Sequence, residues 1–208
     1  MNEEFDFIAL GDIVTDAFIR IKQASIHHDD PDGLEKICLT NGSKIPYEFF
    51  VVLAAVGNSP NAAVSATRLG LKTALVTDLG DDQYGQEDLE TLKKNGIDAR
   101  FARVHSGKIS NYHFVLWHKA ERTILIKHEE YPYSLPDIGT PRWMYLSSLG
   151  ENSLPYHDEI AKYLPGIIES LERHYNDPVI APNGKLEGMC LAIRGLKGLL
   201  AKAKGENI

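Results

Sequence analysis

A bend near residue 57 gathers small and amide side chains just before a helical pattern. It runs through Gly57, Asn58, Ser59, Pro60 and Asn61. Ser59 and Pro60 are residue types favoured at a helix N-cap and at the first helical position. The free N–H groups of a helix start favour polar or anionic ligands, so Asn58 and Asn61 are candidate ligand-binding residues. An ordinary capped helix between two strands explains the same residues, and the local pattern leaves both interpretations open.

Acidic residues follow several apolar segments that are typical of strands. Asp12 follows the segment at residues 5–10, Asp82 follows the one at 72–77, and Glu151 follows the one at 143–149. In open α/β sheets, ligands bind beyond the carboxyl ends of the strands. We therefore expect a shared cleft at this edge of the sheet.

Other catalytic and metal-binding motifs have weaker support. The chain contains neither a P-loop nor a Gly-x-Ser-x-Gly sequence. The residues His27 and His28 with the two following aspartates could bind a metal, but their polar, turn-rich context favours a solvated loop. His113 and His118 fall on opposite faces of a predicted strand, so they cannot share a metal ion. We predict no metal site, and His128 could equally face the cleft or lie at a charged surface.

The alternation of helix and strand patterns predicts an α/β fold, with a mainly parallel sheet flanked by helices. The segments before Asn58 fit this alternation less well, and they indicate a small β layer that projects from the sheet. Strands are predicted at residues 5–10, 16–21, 36–40, 47–56, 72–77, 97–104, 110–118, 122–128 and 143–149; helices are predicted from the bend to Gly70, over 82–95 (with Gly96 at its end), and over about 155–175, with a possible break at 165–166.

The composition excludes several classes of partner. The chain has 208 residues, 43% of them hydrophobic and 25% charged, with a net charge of −7 and no basic cluster. Nucleic acid and anionic membrane surfaces are therefore unexpected partners. No apolar run reaches the roughly 18 residues that span a bilayer, and the acidic start does not resemble a signal peptide. Cys38 and Cys190 form no metal motif, so we expect free thiols and a cytoplasmic protein.

Several motifs, in order along roughly residues 5–160, resemble the amino-terminal part of the ribokinase-like (PfkB) carbohydrate kinases. Residues 8–16 look like the first strand and its acidic loop, and residues 57–63 are similar to the family's Gly-Gly-x-x-Asn-x-Ala, with Asn58 in place of the second glycine. Residues 76–85 resemble Gly-x-x-Gly-x-Asp-x-x-Gly, with Asp78 in place of the first glycine, and residues 106–110 match a later Thr-Gly-x-Ala/Ser feature.

The resemblance implies a ribokinase-like fold over residues 1–175, with a small β lid from about residue 16 to 56. It also implies ATP-dependent phosphoryl transfer to a hydroxyl of a sugar or nucleoside, with ATP and Mg²⁺ as cofactors. Carboxylates accept hydrogen bonds from sugar hydroxyls, and amides both donate and accept them. The substrate-binding residues it implies are Asp12, Asp16, Gly57, Asn58, Asn61 and Ser110.

The chain departs from the family after about residue 176. The Gly-Ala-Gly-Asp motif, which carries the catalytic base and anion hole in the family, is absent from the 208 residues. We therefore assign no catalytic residue, and we expect a truncated relative with a divergent tail at residues 176–208 and no appreciable turnover by itself. The alternative is a non-catalytic sugar-binding or dimerisation module.

A run of apolar residues in the predicted lid favours self-association. Residues 49–53 read Phe-Phe-Val-Val-Leu, which is apolar on both faces of a strand. Such a strand is either buried or covered by a partner, because large apolar patches rarely stay exposed. We expect a homodimer with the lid strands as the contact.

Overall fold

Two four-stranded sheets contain most of the strands in the described part of the chain. The computed structural model describes residues 5–28 and 33–162. Its elements are β1 (Phe7–Leu10), β2 (Val14–Ile21), β3 (Ser25–His27), β4 (Lys36–Cys38), β5 (Tyr47–Val56), α1 (Asn58–Arg68), β6 (Thr73–Gly80), α2 (Gln83–Lys94), β7 (Ala102–His105), β8 (Tyr112–His118), β9 (Glu121–Leu125), β10 (Trp143–Leu146) and α3 (Leu154–Ala161).

The first sheet is parallel throughout, with the strand order β10-β1-β6-β7. Its central strands are buried on both faces, so their side chains alternate between two apolar clusters. Ile8 and Leu10 belong to one cluster together with Tyr156 and Ile160 of α3. Ala9 belongs to the other, together with Ala63 of α1 and Leu92 of α2. Helices therefore cover both faces of this sheet, which confirms the predicted fold class.

The second sheet, which we call the lid sheet, has the strand order β5-β2-β8-β9. Strand β2 pairs antiparallel with β5 and parallel with β8, and β8 and β9 form an antiparallel hairpin. The predicted lid, residues 16–56, contributes β2 and β5 to this sheet. The hairpin of β8 and β9 extends the sheet beyond that prediction, and β4 pairs with β3 in a separate two-stranded ribbon.

Glycines end the first two helices where the sequence predicts it. Gly70 and Gly96 directly follow the C-caps of α1 and α2, and their φ angles of 89° and 75° lie in the left-handed region that favours glycine. Asp82 is the N-cap of α2, and its carboxylate accepts a hydrogen bond from the Gly85 N–H at 3.0 Å. No helix in the described ranges is long and apolar enough to cross a membrane.

The start of α1 differs from its prediction. The helix begins at Asn58, and Gly57 rather than Ser59 is its N-cap. The Ser59 hydroxyl instead donates to the Leu10 carbonyl oxygen at 2.6 Å and lies 2.8 Å from the Ser147 hydroxyl. A tertiary contact with the end of β1 thus takes the place of a local cap.

The description ends at residue 162. Outside it lie the rest of the long helix predicted at 155–175, with its possible break, and the tail from 176 onward.

Strand β5 is exposed along most of its length. Residues 47 and 49–53 are apolar or aromatic, and each keeps between 40% and 58% of its surface exposed. Phe49 packs edge to face against Trp117 of β8, and Phe50 packs similarly against Tyr47. Both faces of this strand therefore present aromatic surface that the described chain does not cover.

A fully buried carboxylate connects α2 to the lid sheet. Asp88 is 0% exposed, and its Oδ1 accepts hydrogen bonds from the Thr15 hydroxyl at 3.0 Å and the Ala55 N–H at 2.6 Å. Its Oδ2 has no hydrogen-bond partner among the described residues. Desolvation by burial outweighs these two hydrogen bonds and raises the pKa of Asp88 to about 6.

The raised pKa of Asp88 predicts a pH-dependent contribution to stability. The folded state favours the protonated acid, so this contribution is present below the unfolded pKa of 3.8 and is lost as the pH rises through about 6. We expect the loss to be on the order of 3 kcal/mol. Urea unfolding of the wild type and Asp88→Asn between pH 4 and 7.5 measures it as a difference between the two proteins. A difference in unfolding free energy that stays constant over this range would contradict the prediction.

Candidate active site

A cleft of about 560 Å³ lies between the carboxyl edge of the parallel sheet and one face of the lid sheet. Five of the six residues predicted to bind substrate line it, and Ser110 does not. The loop after β1 and the start of β2 supply its acidic residues, and the start of α1 supplies its amides. Its lining consists of Asp12, Val14, Asp16, Phe18, Leu53, Val56, Gly57, Asn58, Asn61, His113, Arg122, Ile124, Ile126, His128 and Ser148.

Asp12 is a buried carboxylate held by two partners. The Tyr133 hydroxyl donates to it at 2.9 Å, and His128 Nδ1 lies 3.1 Å from its Oδ2. The hydrogen bond to Asp12 and its negative charge raise the pKa of His128. Burial, followed by the charge of Asp12, raises the pKa of Tyr133. Asp12 is therefore oriented in the cleft by a phenol and an imidazole.

Asp16 and His113 form a second pair of carboxylate and imidazole. They face each other across the parallel register of β2 and β8, with His113 Nδ1 3.4 Å from Asp16 Oδ1. Asp16 Oδ1 and His113 Nε2 are both buried, and within the described structure neither makes a hydrogen bond. The rings of His113 and His128 lie edge to face at 5.2 Å, so the two pairs are adjacent. Two carboxylate–imidazole pairs therefore lie side by side along the cleft.

The bend before α1 brings the backbone close to Asp12. Gly57 has a φ of 118°, and a Cβ there would lie 3.0 Å from the Asp12 carbonyl oxygen. Glycine is therefore required by both the backbone conformation and the close approach. Asn58 donates from Nδ2 to the Ser148 hydroxyl at 3.0 Å, and the exposed Asn61 lies one turn further along α1. The amide side chains and first-turn N–H groups of α1 are thereby presented to the cleft.

Ser110 lies outside this cleft, and its hydrogen bonds hold the start of α2 against the end of β6. Its hydroxyl donates to Asp82 Oδ1 at 2.7 Å and accepts from the Gly80 N–H at 3.1 Å. A Cβ at Gly85 would collide with the Gly80 carbonyl, which shows how closely these backbones pack. The placement of Ser110 gives it a packing role, and a contact with substrate stays a prediction.

Asp78, which departs from the resembling motif, is buried in an ionic cluster away from the cleft. Arg103 on the adjacent strand β7 lies 2.8 Å from its Oδ1, and His105 Nε2 lies 2.6 Å from the same oxygen. The pairing of β6 with β7 places Asp78 directly opposite Arg103. The charge that replaces a glycine is therefore matched by partners on the next strand.

Sequence reasoning missed His113 as a cleft residue and left His128 undecided. The sequence gives little indication that these two histidines line a cleft, because no local motif contains them. His113 reaches the cleft only through the pairing of β2 with β8, and His128 only because the chain turns back after β9. The alternation of β8, which separates His113 from His118, was the part of the signal available in the sequence.

The described residues contain no cluster of candidate metal ligands. Within residues 5–28 and 33–162, no three His, Cys, Asp or Glu side chains are placed to hold a metal ion. The two carboxylates of the cleft each already face an imidazole. These donors suit hydroxyl groups better than a hard divalent cation, which prefers several oxygen ligands.

A family model covers the centre of the chain. The model for the pfkB family carbohydrate kinase matches residues 30–137, slightly more than half of the 208-residue chain. The match includes the bend before α1, all of α2 and the lid hairpin, and thus most of the cleft.

Two curated relatives match shorter segments. A ribokinase from Mus musculus is 40% identical over 55 residues, which are 26% of this chain and 16% of that protein. Fructokinase-2 from Solanum lycopersicum is 41% identical over 64 residues, which are 30% of this chain and 20% of that protein. The aligned segments therefore cover only a small part of each relative.

Solved structures share the fold over more of the chain. Ribokinase from Cryptococcus neoformans var. grubii serotype A, in complex with ADP, aligns with a TM-score of 0.52 and 18% identity over 76% of this chain and 44% of that chain. The microbiome-derived acarbose kinase Mak1 aligns with a TM-score of 0.53 and 16% identity over 81% of this chain and 51% of that chain. The chain thus spans about half the length of these kinases.

Proposed function

The chain belongs to the pfkB family of carbohydrate kinases, and on that basis we propose that its cleft binds a sugar or nucleoside for ATP-dependent phosphoryl transfer to a hydroxyl. The observation that carries the proposal is the convergence of Asp12, Asp16, Gly57, Asn58 and Asn61 on one cleft. These residues come from separate parts of the sequence, and a shared polar ligand gives a reason for their meeting.

The chemistry of the cleft supports a polyhydroxylated ligand. Carboxylates accept from hydroxyl groups, while amide and imidazole groups supply both donors and acceptors. Phe18, Leu53 and Ile124 form apolar walls on the lid side, which suit the C–H faces of a sugar ring. A few polar groups between apolar walls are typical of small-molecule sites.

The phosphoryl-transfer step needs groups beyond those described. In such reactions ATP supplies the phosphoryl group and Mg²⁺ neutralises its charge. We infer that both would bind with the help of a segment equivalent to the half of the aligned kinases that this chain does not match. The 208 residues contain no Gly-Ala-Gly-Asp motif. This absence favours a second candidate function, a non-catalytic sugar-binding or dimerisation module built on the same fold.

We also propose that residues 1–175 form one ribokinase-like unit whose lid comprises residues 16–56 with the added β8–β9 hairpin, and that residues 176–208 form a divergent carboxyl-terminal tail. The exposed β5 surface supports a homodimer through the lid, because apolar patches of this extent are generally covered.

Sugar binding should depend on Asp16 and Asn61. Asp16→Ala and Asn61→Ala should each weaken binding by about 1–3 kcal/mol, because a sugar hydroxyl loses its partner. Calorimetry with pentoses, hexoses and nucleosides measures the affinities. Asp158→Ala, which removes an exposed carboxylate from α3, is the matched control and should bind normally. Wild-type affinity in both cleft variants would remove these residues from the site.

The 208-residue chain alone should show no appreciable kinase turnover. Loss of one preorganised electrostatic group costs on the order of a hundredfold or more in rate, and this chain lacks the family's base and anion hole together. A coupled assay of ADP release with the same sugars measures the turnover. Sustained ADP release that requires the sugar would show that the chain is a complete catalyst.

The lid surface should hold two copies of the chain together. Light scattering should give a dimer for the wild type at micromolar concentration. A charge at the exposed position 50, in Phe50→Asp, should shift it toward monomer because the charge would be buried in the contact. A monomeric wild type would contradict the dimer, and a dimeric Phe50→Asp would place the contact elsewhere.

A further inference from the structure

The pairing of β2 with β5 is irregular at the point where both strands reach the cleft. Val14 pairs with Val56 and Asp16 pairs with Leu53, so one residue of β2 faces two residues of β5. This is the arrangement of a β-bulge, which bends a strand and redirects its side chains. Ala55 lies in the bulge with a φ of 55°, a left-handed conformation that alanine rarely adopts.

Asp88 supplies the hydrogen bonds that the bulge requires. A bulge leaves a backbone group without its ladder partner, and the Ala55 N–H donates instead to Asp88 Oδ1 at 2.6 Å. The same oxygen accepts from the hydroxyl of Thr15, the β2 residue opposite the bulge, at 3.0 Å. Asp88 and Thr15 are both 0% exposed, so both bonds are shielded from bulk water.

The neighbours of these two partners form the cleft. Thr15 precedes Asp16, and Ala55 is followed by Val56 and Gly57, which begins the bend into α1. Three of these, Asp16, Val56 and Gly57, line the cleft. Asp88 itself is absent from the lining, so its connection to the cleft is through the backbone that it holds.

We propose that Asp88 is a positioning residue for the cleft: by binding both sides of the bulge it holds Asp16 and the Gly57–Asn58 bend in register for a sugar. The proposal rests on the proposed function in so far as it names a sugar. Without the acceptor, Ala55 would lose the bond that supports its left-handed conformation, and the bend would move relative to Asp16. In enzyme active sites, a displacement on the order of 1 Å can cost as much as a hundredfold in rate, and we expect sugar affinity to be sensitive to the same movement.

The experiment compares Asp88→Ala with Asp88→Asn. The asparagine keeps an oxygen that accepts from both donors, whereas the alanine removes it. Calorimetry at low temperature, with every variant shown to be folded by circular dichroism, measures affinity for the sugar that the wild type binds best. We expect at least a tenfold loss for Asp88→Ala and near wild-type affinity for Asp88→Asn. Glu90→Ala removes an exposed carboxylate from the same helix and should leave affinity unchanged.

A backbone readout keeps the proposal separate from the sugar hypothesis. In ¹H–¹⁵N spectra without sugar, the amide signals of Ala55, Asp16, Gly57 and Asn58 should move in Asp88→Ala and stay close to wild type in Asp88→Asn. If the wild type binds no sugar in the panel, the proposed function fails, and these spectra alone decide whether Asp88 positions the bend.

Two results would overturn the proposal. One is a folded Asp88→Ala variant that binds the sugar with wild-type affinity. The other is a folded Asp88→Ala variant whose amide signals of Asp16, Gly57 and Asn58 coincide with those of the wild type. If Asp88→Ala does not fold, Thr15→Val decides, because it removes one of the two bonds at nearly constant side-chain volume. Weaker sugar binding and shifted cleft amides in Thr15→Val support the proposal, and wild-type behaviour rejects it.

Discussion

Strand β2 leaves the parallel sheet immediately after β1 and becomes a central strand of the lid sheet. Only Gly11, Asp12 and Ile13 separate the two strands. Because β2 pairs with β5 on one side and β8 on the other, this short connection fixes the distance between the two sheets. Asp12 lies in the connection and Asp16 lies on β2, so both acidic residues of the cleft are placed by the same constraint. The width of the cleft follows from the length of this connection.

The electrostatics of the cleft follow from the burial of these carboxylates. A buried carboxylate is costly unless a partner compensates it, and each of the two faces a histidine. Tyr133 adds a neutral donor to Asp12. These partners stabilise the carboxylates and still leave acceptor and donor atoms in the cleft for a ligand. Such an arrangement is suited to the hydroxyl groups of one small molecule, as in the proposed function.

The parts of the structure that local sequence determines were predictable. The ends of α1 and α2 at Gly70 and Gly96 and the break between the strands predicted at 110–118 and 122–128 follow from residue types within a few positions. The parallel sheet follows from the alternation of helix and strand patterns along the chain. The parts of the structure that depend on pairing between distant segments were not predictable. Membership of β8 and β9 in the lid sheet depends on a register between residues far apart in the chain, and Ser59 prefers a tertiary partner, the Leu10 carbonyl, over the local cap. The site was predictable for the residues inside motifs, such as Asn58 and Asn61, and unpredictable for His113, whose position depends on that register.

The parallel pairing of β2 with β8 also bears on how the chain folds. Thr15 pairs with Tyr112, so the lid sheet joins segments that most of the described chain separates. Bringing two such distant strands together costs conformational entropy before their contacts can offset that cost. Pairing between segments far apart in sequence is therefore slow to form. During synthesis, the antiparallel strands β2 and β5 emerge well before β8 is made, with their aromatic and branched residues uncovered. The lid consequently depends on protection from aggregation while the chain is still on the ribosome.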